Sequence, residues 1–185
     1  MYEEVLIAGS GGQGIIFAGR LLAKTAMEAG WHVACAVSYG PEMRGGTANS
    51  TVIISSDPIG SLVVVRPTIA IVMNEPSLVK FEPKVAPGGL LIANQSLVTT
   101  ISRRTDIKAC YVPATRLAKE LGKSAVANVI LLGTLLTLRP VVAANTISQV
   151  LSQVLHSATE ELRHINQQAL ELGRSQGAKI AQEVS

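Results

Sequence analysis

The segment from Val5 to Gly30 constrains the fold more than any other. Val5-Leu-Ile-Ala8 is a short apolar run of the kind that suits a strand covered on both faces. Gly9-Ser-Gly-Gly-Gln-Gly14 follows as a loop. From Ile15 to Ala29 the apolar period lengthens to 3.6: Ile15, Ala18, Leu22, Ala26 and Ala29 share one face, and Arg20, Lys24 and Glu28 share the other. Gly30 is placed to cap the helix. A buried strand, a glycine turn and an amphipathic helix make the opening of an α/β unit with a parallel sheet.

The rest of the chain repeats this alternation. Strands are expected at His32–Val37, Thr51–Ser55, Leu62–Val65, Thr68–Met73, Leu90–Ala93 and Ile107–Val112. The close spacing of the strands at 51–55 and 62–65, around Asp57-Pro58, predicts a hairpin and hence a mixed sheet. A short helix starts at Asn74-Glu-Pro76. Further helices are expected at Ala114–Leu121, Val126–Leu138, about 146–156, and from Thr159 to near Gly177, the last with a Ser157-x-x-Glu160 capping box. The fold class is therefore α/β: a three-layer α/β/α sandwich with a mostly parallel, mixed sheet. With 185 residues and no linker or repeat, it reads as a single domain over 1–185 ending in C-terminal helices at about 146–177.

Composition narrows the function classes. Hydrophobic residues make up 48% and charged residues 16%, which excludes a disordered chain. Six aromatics and a net charge of +3, with no Lys/Arg block, argue against nucleic-acid binding. A mean hydropathy of +0.35 is high for a monomer of this size, so part of the apolar surplus is expected to cover a subunit interface. Cys35 and Cys110 lie too far apart in sequence for a CxxC motif and are expected to be buried thiols; a four-Cys zinc site or a Cys-ligated iron–sulfur cluster from this chain alone is excluded. The longest apolar stretch, Ala125–Leu138, is too short and too interrupted to span a bilayer. The start of the chain carries no secretion signal, so a soluble cytoplasmic protein is expected.

Two loops carry the candidate site. The first, Gly9, Gly11, Gly12, Gln13 and Gly14, has the spacing of a dinucleotide fingerprint after a strand and before a helix. It lacks the acidic residue about 20 positions on that would hold a ribose, because the second strand ends Ala36-Val-Ser38, and Gln13 is bulky where a phosphate would sit. The loop is open to three readings: a nicotinamide or flavin nucleotide, another anionic ligand or a partner's cofactor, or a structural turn. The second loop, Ser38–Thr47, holds Tyr39, Gly40, Pro41, Glu42, Arg44, Gly45 and Gly46. It follows the second strand, which places it at the same carboxyl edge of a parallel sheet. Arg44 offers a fixed fork of donors for phosphate or carboxylate, or pairs with Glu42. His32, His156 and His164 read as ordinary surface or core histidines, so no catalytic residue is assigned.

GSGGQG at 9–14 together with SYGPEMRGGTANS at 38–50 resembles the gamma subunit, or gamma domain, of 2-oxoacid:ferredoxin (flavodoxin) oxidoreductases. Pro87-Gly-Gly, Asn128-x-x-x-Leu-Gly133 and Asn166-x-x-Ala169-x-x-x-Gly173 extend the likeness along the chain, with Asn128 as a structural family position. The resemblance implies a non-catalytic subunit of an enzyme that oxidatively decarboxylates a 2-oxoacid to an acyl-CoA and passes electrons to ferredoxin or flavodoxin. It implies alpha, beta and possibly delta subunits as partners. Thiamine diphosphate, iron–sulfur clusters and CoA would be held in those partners, with no cofactor bound by this chain alone. Its second loop is more similar to the 2-oxoglutarate or general 2-oxoacid branch than to the pyruvate branch. The alternatives are an autonomous NAD(P)- or flavin-binding oxidoreductase and a small anion-binding α/β module.

Overall fold

A computed structural model describes residues 1–39 and 47–183. Six strands, β1 (Tyr2–Ser10), β2 (His32–Tyr39), β3 (Thr47–Ser55), β4 (Ile69–Val72), β5 (Leu90–Asn94) and β6 (Lys108–Val112), form one sheet in the order β2-β3-β1-β4-β5-β6. β1, β4, β5 and β6 run parallel, while β3 is antiparallel to both β1 and β2. Helices α1 (Ile15–Glu28), α3 (Ala114–Glu120), α4 (Ala127–Leu138), α5 (Ala144–Val154) and α6 (Glu160–Glu183) contribute to the core on one face. α2 (Glu75–Phe81) covers the other. The expected α/β sandwich with a mixed sheet is the fold observed.

The alternation of β1 explains its two-sided burial. Val5 and Ile7 point into the larger core with Val52, Ile54, Ile69, Ile71 and Ile92. Leu6 and Ala8 point the other way, to Ala70, Val72, Leu91, Leu78 and Phe81. α4 is apolar all round and is buried from Ala127 to Leu136, as a helix with no polar face must be. It is clamped against α6 by glycines: a Cβ on Gly173 would lie 2.0 Å from the Ile130 carbonyl oxygen, and one on Gly133 would lie 2.3 Å from that of Leu170. The motifs Asn128-x-x-x-Leu-Gly133 and Asn166-x-x-Ala169-x-x-x-Gly173 thus record close approach of two backbones.

Three expectations are corrected. Leu62–Val65 is not a strand, and the hairpin expected there does not form. Both ladder edges of β1 are taken by β3 and β4, and residues 56–68 carry the chain between those strands at the amino-terminal end of β1. The β-branched residues find no ladder partner, and Leu62, Val63 and Val65 are 61%, 72% and 69% exposed. The antiparallel pairing comes instead from β2 and β3, which register from His32↔Ser55 to Tyr39↔Ala48. Second, Cys110 is buried within the larger core while Cys35, on the opposite margin of the sheet, is exposed. Third, α6 is capped by the Thr159 hydroxyl, which accepts from Leu162 N at 3.3 Å, rather than by Ser157, and it runs past Gly177 to Glu183.

Candidate functional site

The carboxyl end of β1 is built by its glycines. Gly14 caps α1 with φ 72°, a left-handed conformation that favours glycine. Its carbonyl oxygen accepts from Asn128 Nδ2 at 2.8 Å, and a Cβ on Gly14 would lie 2.0 Å from that nitrogen. Asn128 Oδ1 in turn accepts from Val129 N at 2.8 Å. Asn128 therefore ties the start of α4 to the start of α1. Gly9 is tight for another reason: a Cβ there would meet Gln13 Oε1 at 2.5 Å and Met73 Cβ at 2.9 Å. Gly11 and Gly12 face open space.

Gln13 turns inward. Its Oε1 accepts from Ser10 N at 2.7 Å and from Asn74 Nδ2 at 3.2 Å. Its Nε2 donates to the Met73 carbonyl at 3.5 Å. The side chain braces the loop and leaves the outer face, at Gly11 and Gly12, to glycine alone. Asn74 Nδ2 also donates to Ser10 Oγ at 2.7 Å, while its Oδ1 caps α2 by accepting from Ser77 N at 3.0 Å. Asn94, fully buried at the end of β5, donates to the Met73 carbonyl at 3.2 Å and to Thr115 Oγ1 at 2.8 Å. A run of carboxamides thus crosses the carboxyl ends of β1, β4 and β5 and reaches the Thr115 hydroxyl beyond β6. Sequence reasoning missed Asn74 and Asn94 as site residues. Their signal was position, each standing directly after the apolar run of a strand.

Among the described residues no side chain caps α1, and no acidic residue lies in its first turn. Its positive end is therefore available to an anion. Two hollows flank it. One of about 380 Å³ is lined by Ser10–Gly12, Gly14–Phe17 and Ala48. The other, about 280 Å³, is lined by Gly12, Gly14 and Phe17 together with Lys123, Asn128 and Asn166. A larger hollow of about 720 Å³ lies farther along the same edge, between Gln95–Leu97 and α3, where Arg116 pairs with Glu120 at 2.9 Å.

Gly40, Pro41, Glu42, Arg44, Gly45 and Gly46 lie outside the described residues, as does the Tyr39 side chain. The backbone on either side is placed. Tyr39 pairs with Ala48, and Ser10 pairs with Thr47, so the second loop leaves and re-enters the sheet beside the glycine loop. β2 ends Val37-Ser38-Tyr39, without a carboxylate for a ribose. Cys110 is buried, and that burial raises its thiol pKa, partly offset by Lys108.

The chain is similar to known proteins over nearly its whole length. It is 32% identical to the 2-oxoglutarate synthase subunit KorC of Methanocaldococcus jannaschii, over 87% of this chain and 88% of that one. It is 38% identical to the ketoisovalerate oxidoreductase subunit VorA of Methanothermobacter marburgensis over 73% of this chain, but spans only 28% of that protein. Its fold superposes on the gamma subunit of a keto/oxoacid ferredoxin oxidoreductase from Geobacter sulfurreducens with a TM-score of 0.82 and 27% identity, covering 96% of this chain and 99% of that one. With residues 4–176 matching its family model, the chain belongs to the pyruvate ferredoxin/flavodoxin oxidoreductase family.

Proposed function

We propose that this chain is the gamma subunit of a 2-oxoacid:ferredoxin oxidoreductase, non-catalytic by itself, acting on 2-oxoglutarate or a broader set of 2-oxoacids. It folds as a single unit over 1–185 and works in the cytoplasm; no described helix is long and apolar enough to cross a membrane. Alpha, beta and possibly delta subunits are its partners, with ferredoxin or flavodoxin reached through the complex. Thiamine diphosphate, the iron–sulfur clusters and CoA belong to those partners. The glycine loop and the 40–46 loop close over that cofactor and CoA region.

The observation that carries the reading is the nearly end-to-end match to KorC, a 2-oxoglutarate synthase subunit of similar length. The thiols agree with clusters held elsewhere. Cys35 and Cys110 stand on the two outermost strands, about 24 Å apart at roughly 4.8 Å per strand, and cannot share a centre. The missing ribose carboxylate on β2 weighs against an autonomous nicotinamide enzyme.

The test is co-expression with the thiamine-binding and four-Cys subunits of a 2-oxoacid:ferredoxin oxidoreductase. Oxoacid-dependent viologen reduction is expected from the complex and none from this chain. Turnover by the pure chain, or a dissociation constant for NADH or NADPH at or below about 10 μM, equivalent to roughly 7 kcal/mol, overturns the reading. Within the complex, Arg44→Ala is expected to cost about 2–4 kcal/mol in function if Arg44 meets a desolvated anion, with only partial rescue by Arg44→Lys. An Arg44→Ala chain that melts early and loses activity only in step with folded protein assigns the residue to structure.

A further inference from the structure

We propose that Asn74 is a positioning residue for the glycine loop, latching Gln13 so that Ser10–Gly14 holds one shape at the mouth of α1. The donor and acceptor bookkeeping leaves one arrangement. Ser10 N points at Gln13 and must meet an acceptor, which fixes Gln13 with Oε1 inward. Ser77 N points at Asn74 and must meet an acceptor, which fixes Asn74 with Oδ1 toward α2. The Asn74 amino group is then turned to the loop, where it donates to both Gln13 Oε1 and Ser10 Oγ. On the outer side, a Cβ on Gly11 or Gly12 would meet no atom of the described residues within 4 Å. The carbonyl before Asn74 is itself pinned: Met73 O accepts from Asn94 Nδ2, and Met73 N donates to Ala8 O at 2.8 Å. The latch is therefore mounted on the sheet and reaches across to the Ser10–Gln13 side of the loop, while Asn128 holds its far end at the Gly14 carbonyl.

Chemistry separates the latch from the helix cap. Asn74→Asp keeps an oxygen for Ser77 N, and aspartate is as good a cap as asparagine. It removes the donor facing Gln13 and sets two acceptors against each other. Ser10 Oγ can turn its hydrogen toward the new carboxylate, but Gln13 cannot turn its amide without losing Ser10 N. The functional consequence rests on the gamma-subunit reading; the latch itself does not.

Hydrogen–deuterium exchange on the full chain tests the latch. Asn74→Asp is expected to speed exchange of the amides in 9–16 by about tenfold while those of 75–81 stay as in the wild type. In a Gln13→Ala background the same substitution is expected to add little, because the opposing acceptor is gone. Unchanged exchange in 9–16, or equal loosening of 75–81, overturns the proposal. In the co-expressed complex Asn74→Asp is expected to raise KM for CoA several-fold with kcat within about twofold. An unchanged KM, or a kcat that falls only with folded protein, rejects the positioning role. A wild-type chain that fails to join a complex sinks the gamma-subunit reading instead, and the exchange measurement still decides the latch.

Discussion

Gly12 and Gly14 share a left-handed backbone, with φ of 84° and 72°, but have opposite surroundings. At Gly12 an added methyl group meets open space, so Gly12→Ala is expected to cost only the backbone strain, about 1–2 kcal/mol. At Gly14 the methyl group also runs into Asn128 and breaks its bond to the Gly14 carbonyl. Gly14→Ala is expected to cost about 2–4 kcal/mol and to lower the melting midpoint by roughly 5–15 °C. Calorimetry on both variants checks this; equal losses would show that the contact with Asn128 carries no weight. The glycine spacing and its place between strand and helix were legible in the sequence, because strand, turn and helix are local patterns. The inward turn of Gln13 was not. It is set by Ser10 N three residues back together with Asn74 and Met73, some 60 positions away, and Gly14 is held by Asn128 at a separation of 114. Contacts at such distances leave no local period to read.

At the scale of elements, the α4–α6 seam has no slack. Gly173→Ala places a methyl group against the backbone of Ile130 and is expected to cost about 2–3 kcal/mol or more by urea denaturation. A cost below about 1 kcal/mol would mean that the helices separate freely. The Thr99–Thr100 part of the connection after β5 is tied to α2 by a carboxylate. Glu75 Oε2 accepts from Thr99 N at 2.8 Å and Thr100 N at 3.3 Å. Hydrogen bonds from Thr100 and Thr99 keep the Glu75 pKa below its usual 4.5. A depressed carboxylate stabilises the fold above the unfolded value and loses that contribution as pH falls through the folded one. Wild-type protein is therefore expected to lose more stability than Glu75→Gln between about pH 5 and pH 3. Parallel acid melts of the two proteins would refute this. Helices and most strands were legible because burial imposes a period of 3.6 or 2 on the sequence. Leu62–Val65 misled because its composition fits a strand while both ladder edges of neighbouring β1 are already taken by β3 and β4. β3 began earlier than expected, at Thr47, because Thr-Ala-Asn-Ser carries no apolar alternation.

At the scale of the molecule, the two ends of the sheet differ in chemistry. The carboxyl edge carries glycines, carboxamides and an open helix start. The amino edge carries exposed Met1 and Tyr2 beside the chain that includes Leu62, Val63 and Val65. Under the proposed function such apolar surface is covered by another subunit. Val63→Asp is then expected to leave the melting midpoint of the lone chain nearly unchanged, within about 0.5 kcal/mol, and to weaken co-purification with partner subunits. Full recovery of the complex would place the interface elsewhere. The two cysteines stand at opposite margins of the same sheet: Cys35 exposed, 3.8 Å from Ser50 Oγ, and Cys110 buried with a raised thiol pKa. A maleimide dye at neutral pH will therefore label one strand and spare the other. That strand leads directly into the 40–46 loop, so the native sequence already supplies a single optical reporter at the margin where a partner's approach to that loop would be sensed.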